Sequence, residues 1–256
     1  MLLVVDVGNT NIVLGTYEGK KLTNSWRMTT QTKRTSDEYG MFISALLDQK
    51  GIKNSEIEDV VISSVVPNIM HSLASGFIKY FDREPLIVGP GIKTGINLVT
   101  DNPKEVGADR IVNVVGGKEL YDAPCIVIDF GTATTYDVLN EKGEFIAAIT
   151  SPGLQISADA LWNRAAQLPN IELKIPEGGI MAKNTITSMQ AGLVYGYIGQ
   201  VEYIVKKIRE SMKNDKIKVI ATGGLGSIIE AETEYIDIYD PMLTLKGLRI
   251  IYEKNK

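Results

Sequence analysis

Two short stretches place a carboxylate, a glycine and small polar side chains directly after an apolar run. The first reads Asp-Val-Gly-Asn-Thr-Asn at residues 6–11, and the second reads Asp-Phe-Gly-Thr-Ala-Thr-Thr at residues 129–135. A carboxylate at a strand end can hold hydrated Mg²⁺, while glycine backbone and small hydroxyl groups can approach phosphate oxygens. The two stretches therefore predict a site for a polyphosphate and its metal, built from two facing halves of the chain.

The repetition of this stretch is stronger evidence for a functional site than either copy alone. One copy alone is weak, because Asp, Asn and Gly are also common in ordinary turns. Residues 4–10 align in register with residues 127–133, and this second copy favours a function over plain turn structure. No Gly-x-x-x-x-Gly-Lys-Ser/Thr motif is present, which excludes a P-loop. We name residues 8–10 the first turn and residues 131–132 the second turn.

Composition limits the class of partner. The chain has 256 residues, 44% hydrophobic content and a formal net charge of -4, so it can bury a full core and has no electrostatic reason to bind nucleic acid. No apolar run approaches the roughly 20 residues that cross a bilayer, and residues 1–5 lack a basic leader. We expect a cytoplasmic protein without a membrane partner.

The single cysteine and the single histidine are predicted to be inert. Cys125 heads an apolar strand and is expected to be a buried bystander, not a nucleophile. His71 lies off the apolar face of a helix, without a second histidine or a cysteine nearby. An exposed histidine is therefore expected, not a metal ligand.

The elements that must position the two turns alternate along the chain. The first half predicts strands at residues 2–5, 12–17, 22–28, 60–66 and 86–88. It also predicts two helices, which contain residues 39–47 and 69–77, and the spacing of Thr35 and Glu38 predicts a capping box for the first. The order is β-β-β-α-β-α-β. A connecting helix is predicted from residue 102 to the region of residues 116–117.

The second half repeats this opening in altered form. It predicts strands at residues 126–129, 136–139, 145–149 and 217–221, and helices at residues 154–168, 186–212 and 245–252. The order indicates an α/β fold with mixed sheets, and the duplication indicates two lobes, residues 1–117 and 118–256. The closing helix at residues 245–252 is able to pack across the hinge.

Residues 107–110, Gly-Ala-Asp-Arg, lie between the two turns at the predicted start of a helical face. Asp109 can serve as an acid–base group whose ionised form Arg110 favours. It can equally be an aspartate in a first helical turn, where it complements the helix dipole. The residues alone leave both readings open.

Further motifs accompany the two turns: Gly89-Pro90-Gly91, residues 101–110, Pro152-Gly153, Asn184-Thr185, Met189-Gln190 with Gly192, and residues 221–224. Together they closely resemble the type III pantothenate kinases, in the acetate and sugar kinase, Hsp70 and actin superfamily, nearly from end to end. The resemblance implies a duplicated ribonuclease H-like (actin-like ATPase) fold with two lobes. It also implies ATP-dependent phosphorylation of pantothenate to 4′-phosphopantothenate, the first step of coenzyme A biosynthesis.

The resemblance assigns roles to individual residues. Asp109 is the general base, Asp6 lies on the Mg²⁺ side, and Asp129 matches the ligand of a monovalent cation, K⁺ or NH₄⁺. The residues implied to bind ATP are Asp6, Val7, Gly8, Asn9, Thr10, Asn11, Ile12, Val13, Gly131 and Thr132. Those implied to bind pantothenate are Gly107, Ala108, Asp109, Arg110 and Thr185.

Two features of the second half carry open readings. Gly223 and Gly224 either admit an adenosine ring against the backbone or form a simple tight turn.

Gly192, Gly196 and Gly199 lie on roughly one side of a long helix, which predicts close approach of another backbone. Relatives are dimers whose substrate site the partner completes, so a homodimer through this helix is expected. The alternative is tight packing of the helix within one lobe.

Thr185 is predicted to be the N-cap of the long helix.

The sequence departs from the family pattern at Thr100, because relatives often carry a tyrosine there that lines the substrate pocket. Two alternative functions therefore stay open: a non-catalytic regulator with the same fold, and a kinase of another small hydroxyl acceptor. The joint presence of the reactive residues favours an enzyme, because a regulator needs no base. These residues are Asp6, Asp109, Arg110, Asp129 and Thr132.

Overall fold

The computed structural model describes residues 1–256 and contains two mixed sheets. The strands are β1 (Leu2–Val7), β2 (Asn11–Glu18), β3 (Lys21–Thr29), β4 (Asp59–Ser64), β5 (Leu86–Ile87), β6 (Asn97–Leu98), β7 (Cys125–Phe130), β8 (Ala133–Leu139), β9 (Glu144–Pro152), β10 (Lys218–Thr222) and β11 (Ile238–Tyr239). The helices are α1 (Ser36–Asp48), α2 (Pro67–Phe81), α3 (Ala108–Tyr121), α4 (Leu154–Arg164), α5 (Thr185–Met212), α6 (Gly226–Glu230) and α7 (Leu243–Asn255). The predicted α/β class with mixed sheets is confirmed.

The chain divides into two compact units. The first comprises residues 1–96, 101–119 and 243–256, and the second comprises residues 97–100 and 120–242. The boundary after Glu119 lies close to the predicted one after Gly117, whereas α7 belongs to the first unit. The assignment of the units to two ATPase lobes joined by a hinge stays a prediction.

The sheet of the first unit has the order β3-β2-β1-β4-β5, in which β1 runs antiparallel to β2 and parallel to β4. Leu3, Val5 and Val7 point from β1 into a core that also contains buried side chains of α1 and α2. Side chains alternate along a strand, so Val4 and Asp6 point to the opposite face. A Cβ added to Gly15 would lie 2.9 Å from Leu245 and 3.2 Å from Val4, so α7 covers that face.

The sheet of the second unit has the order β11-β10-β7-β8-β9-β6. Strand β7 runs antiparallel to β8 and parallel to β10, so its end lies beside the end of β10. Ile126 and Ile128 share a core with the buried face of α5, including Val194 and Val201. Burial of each such side chain contributes about 1.5–3 kcal/mol, which holds the strand ends in place.

The capping box of α1 is confirmed. Thr35 Oγ1 accepts a hydrogen bond from the Glu38 N–H at 3.3 Å, and the Glu38 carboxylate accepts one from the Thr35 N–H at 2.7 Å. The long helix α5 also starts within one residue of its predicted start. Both predictions succeeded because they depend on residues that are close in sequence.

The predicted connecting helix from residue 102 is wrong in its start. A short 3-10 turn spans Pro103–Glu105, Val106 is extended, and α3 begins only at Ala108. The helix also continues through Gly116 and Gly117 to Tyr121, because both glycines are buried and a Cβ on Gly116 would meet Leu243 at 2.9 Å. None of the helices, α5 included, is long and apolar enough to cross a membrane.

Candidate active site

The first turn joins β1 to β2 at the end where Asp6 lies. Asp6 pairs with Val13 on β2 and with Ser63 on β4, and it is partly exposed. Within the turn, the Gly8 N–H donates to Asn11 O at 3.0 Å, and Asn9 and Thr10 are exposed. The strand end thus presents a carboxylate next to an accessible backbone turn.

The core limits which parts of residues 6–13 can reach a ligand. The Val7 and Ile12 side chains are fully buried. These side chains pack in the core beneath the turn and support it, so the two residues can offer only backbone atoms to a ligand. Asn9 and Thr10 are exposed, and Asp6, Gly8, Asn11 and Val13 are partly exposed.

The Gly-Ala-Asp-Arg segment lies at the same edge of the first sheet as Asp6. Val65 links them, because its N–H donates to Val7 O at 3.1 Å. A Cβ added to Gly107 would lie 3.5 Å from Val65 Cγ1 and 2.6 Å from Asp109 Oδ1. Only glycine leaves room for the Asp109 carboxylate in this position. The structure therefore brings Asp109 to the sheet edge that carries Asp6.

Asp109 lies in the first turn of α3 and is partly buried. Its Oδ1 accepts a hydrogen bond from the Arg110 N–H at 2.7 Å. Burial raises the pKa of Asp109, and it outweighs the hydrogen bond from the Arg110 backbone and the Arg110 charge, which both act to lower it. Arg110 favours the ionised carboxylate, as expected, but burial has the larger effect on its pKa. A carboxylate with a raised pKa is a better proton acceptor than an exposed one.

The second turn connects β7 to β8. Gly131 and Thr132 are exposed, and Asp129 at the end of β7 is partly exposed and pairs with Thr222 on β10. Two glycines lie against the Asp129 carboxylate. A Cβ on Gly131 would lie 3.5 Å from Asp129 Oδ1, and one on Gly223 would lie 2.6 Å from the same atom.

Gly223 also has the backbone conformation that glycine alone adopts easily, with φ +93°. Its carbonyl accepts hydrogen bonds from the Gly226 N–H and from the Tyr239 hydroxyl. These contacts support the tight-turn reading. The proposed adenosine role of Gly223 and Gly224 stays a prediction.

Gly153 and Tyr197 support the region of the second turn, and the sequence analysis assigned no role to either residue. A Cβ on Gly153 would lie 2.3 Å from Thr132 O and 2.6 Å from Gly131 O, so the start of α4 lies directly against the turn. The Tyr197 hydroxyl is hydrogen bonded to Thr134 Oγ1 and donates to Pro152 O. The Pro-Gly pair was a visible signal for the first contact. The second joins residues far apart in sequence and leaves no local signal.

The N-cap of α5 corrects a prediction. Asn184 is the cap, because its Oδ1 accepts a hydrogen bond from the Thr187 N–H at 2.9 Å. Thr185 is the first helical residue, and its side chain is exposed. Asn is an equally good capping residue, and capping by Asn184 leaves the Thr185 hydroxyl available to a ligand.

Cys125 and His71 lie outside this chemistry. Cys125 is fully buried, and burial raises the pKa of its thiol to about 12, so it has almost no thiolate at neutral pH. His71 is exposed on α2. The predicted burial of Cys125 and the predicted exposure of His71 are confirmed.

The sequence matches one enzyme family over most of its length. The sequence model of the type III pantothenate kinase family matches residues 2–207. A type III pantothenate kinase of Agathobacter rectalis is 57% identical over 254 residues, which cover 99% of this chain and 97% of that protein.

Two solved structures share the fold. A protein described as a 2-dehydro-3-deoxygalactonokinase from Sinorhizobium meliloti has a TM-score of 0.64 at 9% identity, with 99% of this chain and 96% of that chain covered. A protein described as a Baf family transcriptional activator from Campylobacter jejuni has a TM-score of 0.60 at 18% identity, with 99% and 98% covered. Both similarities concern the fold alone, and they agree with the predicted α/β architecture.

Proposed function

Because the chain belongs to the type III pantothenate kinase family, we infer that it phosphorylates pantothenate with ATP and forms 4′-phosphopantothenate, the first step of coenzyme A biosynthesis. One observation supports the mechanism above all others. Asp109 lies at the sheet edge that carries Asp6, and burial raises the pKa of its carboxylate. A proton acceptor for a substrate hydroxyl therefore lies at the same sheet edge as the first turn, which we propose binds phosphate.

We assign Asp109 as the general base. As the terminal hydroxyl oxygen of pantothenate attacks the γ-phosphorus of ATP, the hydroxyl proton passes to the Asp109 carboxylate. The bond between the γ-phosphorus and the bridging oxygen breaks, and ADP leaves with that electron pair. Such proton transfer contributes about 100-fold to 10,000-fold in rate. Most of the remaining catalysis of phosphoryl transfer is positioning and charge stabilisation.

The acceptor side of this proposal uses Gly107, Ala108, Arg110 and Thr185. The Arg110 guanidinium can form two parallel hydrogen bonds with the carboxylate of pantothenate. Gly107 permits the close approach of the Asp109 carboxylate described above. Thr185 contributes its exposed hydroxyl.

The ATP side of the proposal uses residues 6–13, with Gly131 and Thr132. The backbone of the exposed residues Asn9 and Thr10 offers donors to phosphate oxygens, while the Gly8 N–H is bonded to Asn11 O within the turn. The buried Val7 and Ile12 side chains hold the turn in place. Thr132 adds an exposed hydroxyl at the second turn. Neither turn contains lysine, so cations bound with ATP must supply the positive charge.

The residues present fit a divalent metal bound mainly through phosphates and water. No group of three or more His, Cys, Asp or Glu side chains forms a metal cage. Mg²⁺ needs only one or two carboxylates when phosphates complete its shell, and Asp6 at the end of β1 is suited to that role. When bound, the metal neutralises charge that develops on the transferring phosphoryl group.

The donor set at the second turn fits a monovalent cation. The Asp129 carboxylate lies against Gly131 and Gly223, where added Cβ atoms would lie 3.5 Å and 2.6 Å from Oδ1. Any other residue at 223 would displace the carboxylate, so its position depends on glycine there. We therefore propose Asp129 as the protein ligand of K⁺ or NH₄⁺.

We propose that the active form is a homodimer that uses one face of α5. Gly192, Gly196 and Gly199 are exposed, and an added Cβ on any of them would have no atom of this chain within 4 Å. The alternative of tight packing within one lobe therefore does not explain them. A groove of about 550 Å³ borders this face, and its rim residue Met181 is 81% exposed. An apolar, glycine-lined helix face favours close approach of a second copy.

The test is an assay of ADP release with pantothenate, run separately with K⁺, NH₄⁺ or only Na⁺. We expect turnover that depends on pantothenate and increases with K⁺ or NH₄⁺. Turnover that is absent in every condition would contradict the kinase assignment. Equal activity with all three ions would contradict only the role of Asp129. Because of Thr100, other small hydroxyl acceptors belong in the same assay.

A further inference from the structure

Thr30, the residue directly after β3, holds the first turn through two hydrogen bonds. Thr30 Oγ1 donates a hydrogen bond to Gly8 O at 2.7 Å, and the Thr30 N–H donates to Thr10 O at 3.0 Å. Thr30 thus contacts carbonyl groups on both sides of Asn9. None of the motifs in the two turns includes this residue.

The hydroxyl contact determines the direction of a backbone donor. A peptide unit is planar and trans, so the N–H of one residue points opposite to the preceding carbonyl. The Gly8 carbonyl points to Thr30 Oγ1, and the Asn9 N–H must therefore point away from Thr30. Asn9 is exposed, so this N–H belongs to the accessible part of the turn.

Thr30 is itself held by its neighbours. The next residue, Gln31, accepts a hydrogen bond through its carbonyl from the Tyr39 hydroxyl at 2.8 Å. Tyr39 lies on α1 and is fully buried in the core of the first unit. A rigid connection therefore runs from the core through residues 30 and 31 to the first turn.

We propose that Thr30 is a positioning residue for ATP, which orients the Asn9 N–H toward a phosphate oxygen through its hydrogen bond to Gly8. The inference rests on the proposed binding of ATP by residues 6–13. Thr30 touches neither ATP nor pantothenate in this account. Its removal should weaken ATP binding and leave pantothenate binding unchanged.

The test compares Thr30→Val, which removes the hydroxyl and keeps the shape, with Thr30→Ser, which keeps the hydroxyl. Thr23→Val is a matched control, because Thr23 Oγ1 donates to Thr16 O at 3.0 Å in the same strand pair, far from the turn. The readouts are the Kd for ATP by calorimetry, the KM for each substrate, kcat and Tm.

We expect Thr30→Val to raise the Kd and KM for ATP about fivefold, the factor that one neutral hydrogen bond represents. The KM for pantothenate should stay within twofold. Thr30→Ser should restore ATP binding, and Thr23→Val should lower Tm to a similar extent without a change in ATP affinity. Equal ATP affinity in Thr30→Val and Thr23→Val would overturn the proposal.

Asp6→Asn separates this inference from the proposed ATP site. Weaker ATP binding in Asp6→Asn with unchanged binding in Thr30→Val would contradict only the role of Thr30. Unchanged ATP binding in both variants would contradict the assignment of residues 6–13. If Thr30→Val does not yield folded protein, Thr30→Ala provides the same comparison without a new methyl group against the turn.

Discussion

Replacement of Gly153 by alanine should displace the second turn without changing any residue that touches a substrate. Gly153 has φ -68° and ψ 157°, a conformation that alanine adopts without strain. The effect of the substitution is therefore purely steric. The added Cβ would lie 2.3 Å from Thr132 O and 2.6 Å from Gly131 O.

The distances set the size of the effect. Ordinary van der Waals contact begins at 3.4 Å, which is 1.1 Å more than the 2.3 Å available to the Cβ. Both obstructing atoms are backbone carbonyl oxygens, so rotation of a side chain cannot relieve the clash. Misplacement of a positioned group by about 1 Å costs about 100-fold in rate. We expect kcat/KM for ATP to fall by about that factor.

The assay is steady-state ADP release with each substrate varied in turn, together with Tm. Gly89→Ala is a matched control, because an added Cβ at Gly89 would have no atom within 4 Å. The control should keep wild-type kinetics. A folded Gly153→Ala variant with kcat/KM for ATP within threefold of wild type would refute the reasoning, since it would mean that the position of the second turn does not matter for ATP.

Three further predictions concern the base and the assembly. Gly107→Ala places a Cβ 2.6 Å from Asp109 Oδ1, so the carboxylate must rotate away, and kcat should fall about 10-fold with the KM for ATP unchanged in steady-state assays. Burial raises the pKa of Asp109, so activity should be lost as the pH falls through a value above the usual range of aspartate; an acid limb of kcat/KM within that usual range would contradict this. An added Cβ at Gly196 meets no atom within 4 Å, so Gly196→Leu should leave the single chain folded, yet it should convert a dimer to a monomer in sedimentation velocity. A wild-type protein that sediments only as a monomer at micromolar concentration would contradict the proposed dimer.

Local patterns predicted most of the fold. The apolar runs located the strands, and the Thr35 and Glu38 spacing located the start of α1, because these signals act over a few residues. The short strands β6 and β11 were not predicted, since neither lies in an apolar run of three residues like the run at residues 86–88 that indicated β5. The start of α3 was wrong because the position of Gly107 depends on contacts with Asp109 and Val65, which the sequence does not display.

The candidate site shows the same contrast between features set by local sequence and features set by contacts between distant residues. The aspartates and glycines of the two turns were visible because they recur in register. Their supports were not visible, because each support joins distant parts of the chain: Thr30 with Gly8, Gly153 with Thr132, and Tyr197 with Pro152. Repeated motifs therefore indicated the reactive groups, and only the structure indicated what holds them.

Asp109→Asn tests the central claim most directly, since it keeps the size of the side chain and an oxygen able to accept the Arg110 N–H. The measurement is single-turnover phosphorylation of pantothenate, with the Kd for ATP measured by calorimetry on the same preparation. We predict that the rate falls by a factor of about 100 or more, with the Kd for ATP within threefold of wild type. A near-normal rate would show that Asp109 is structural and that another group accepts the proton.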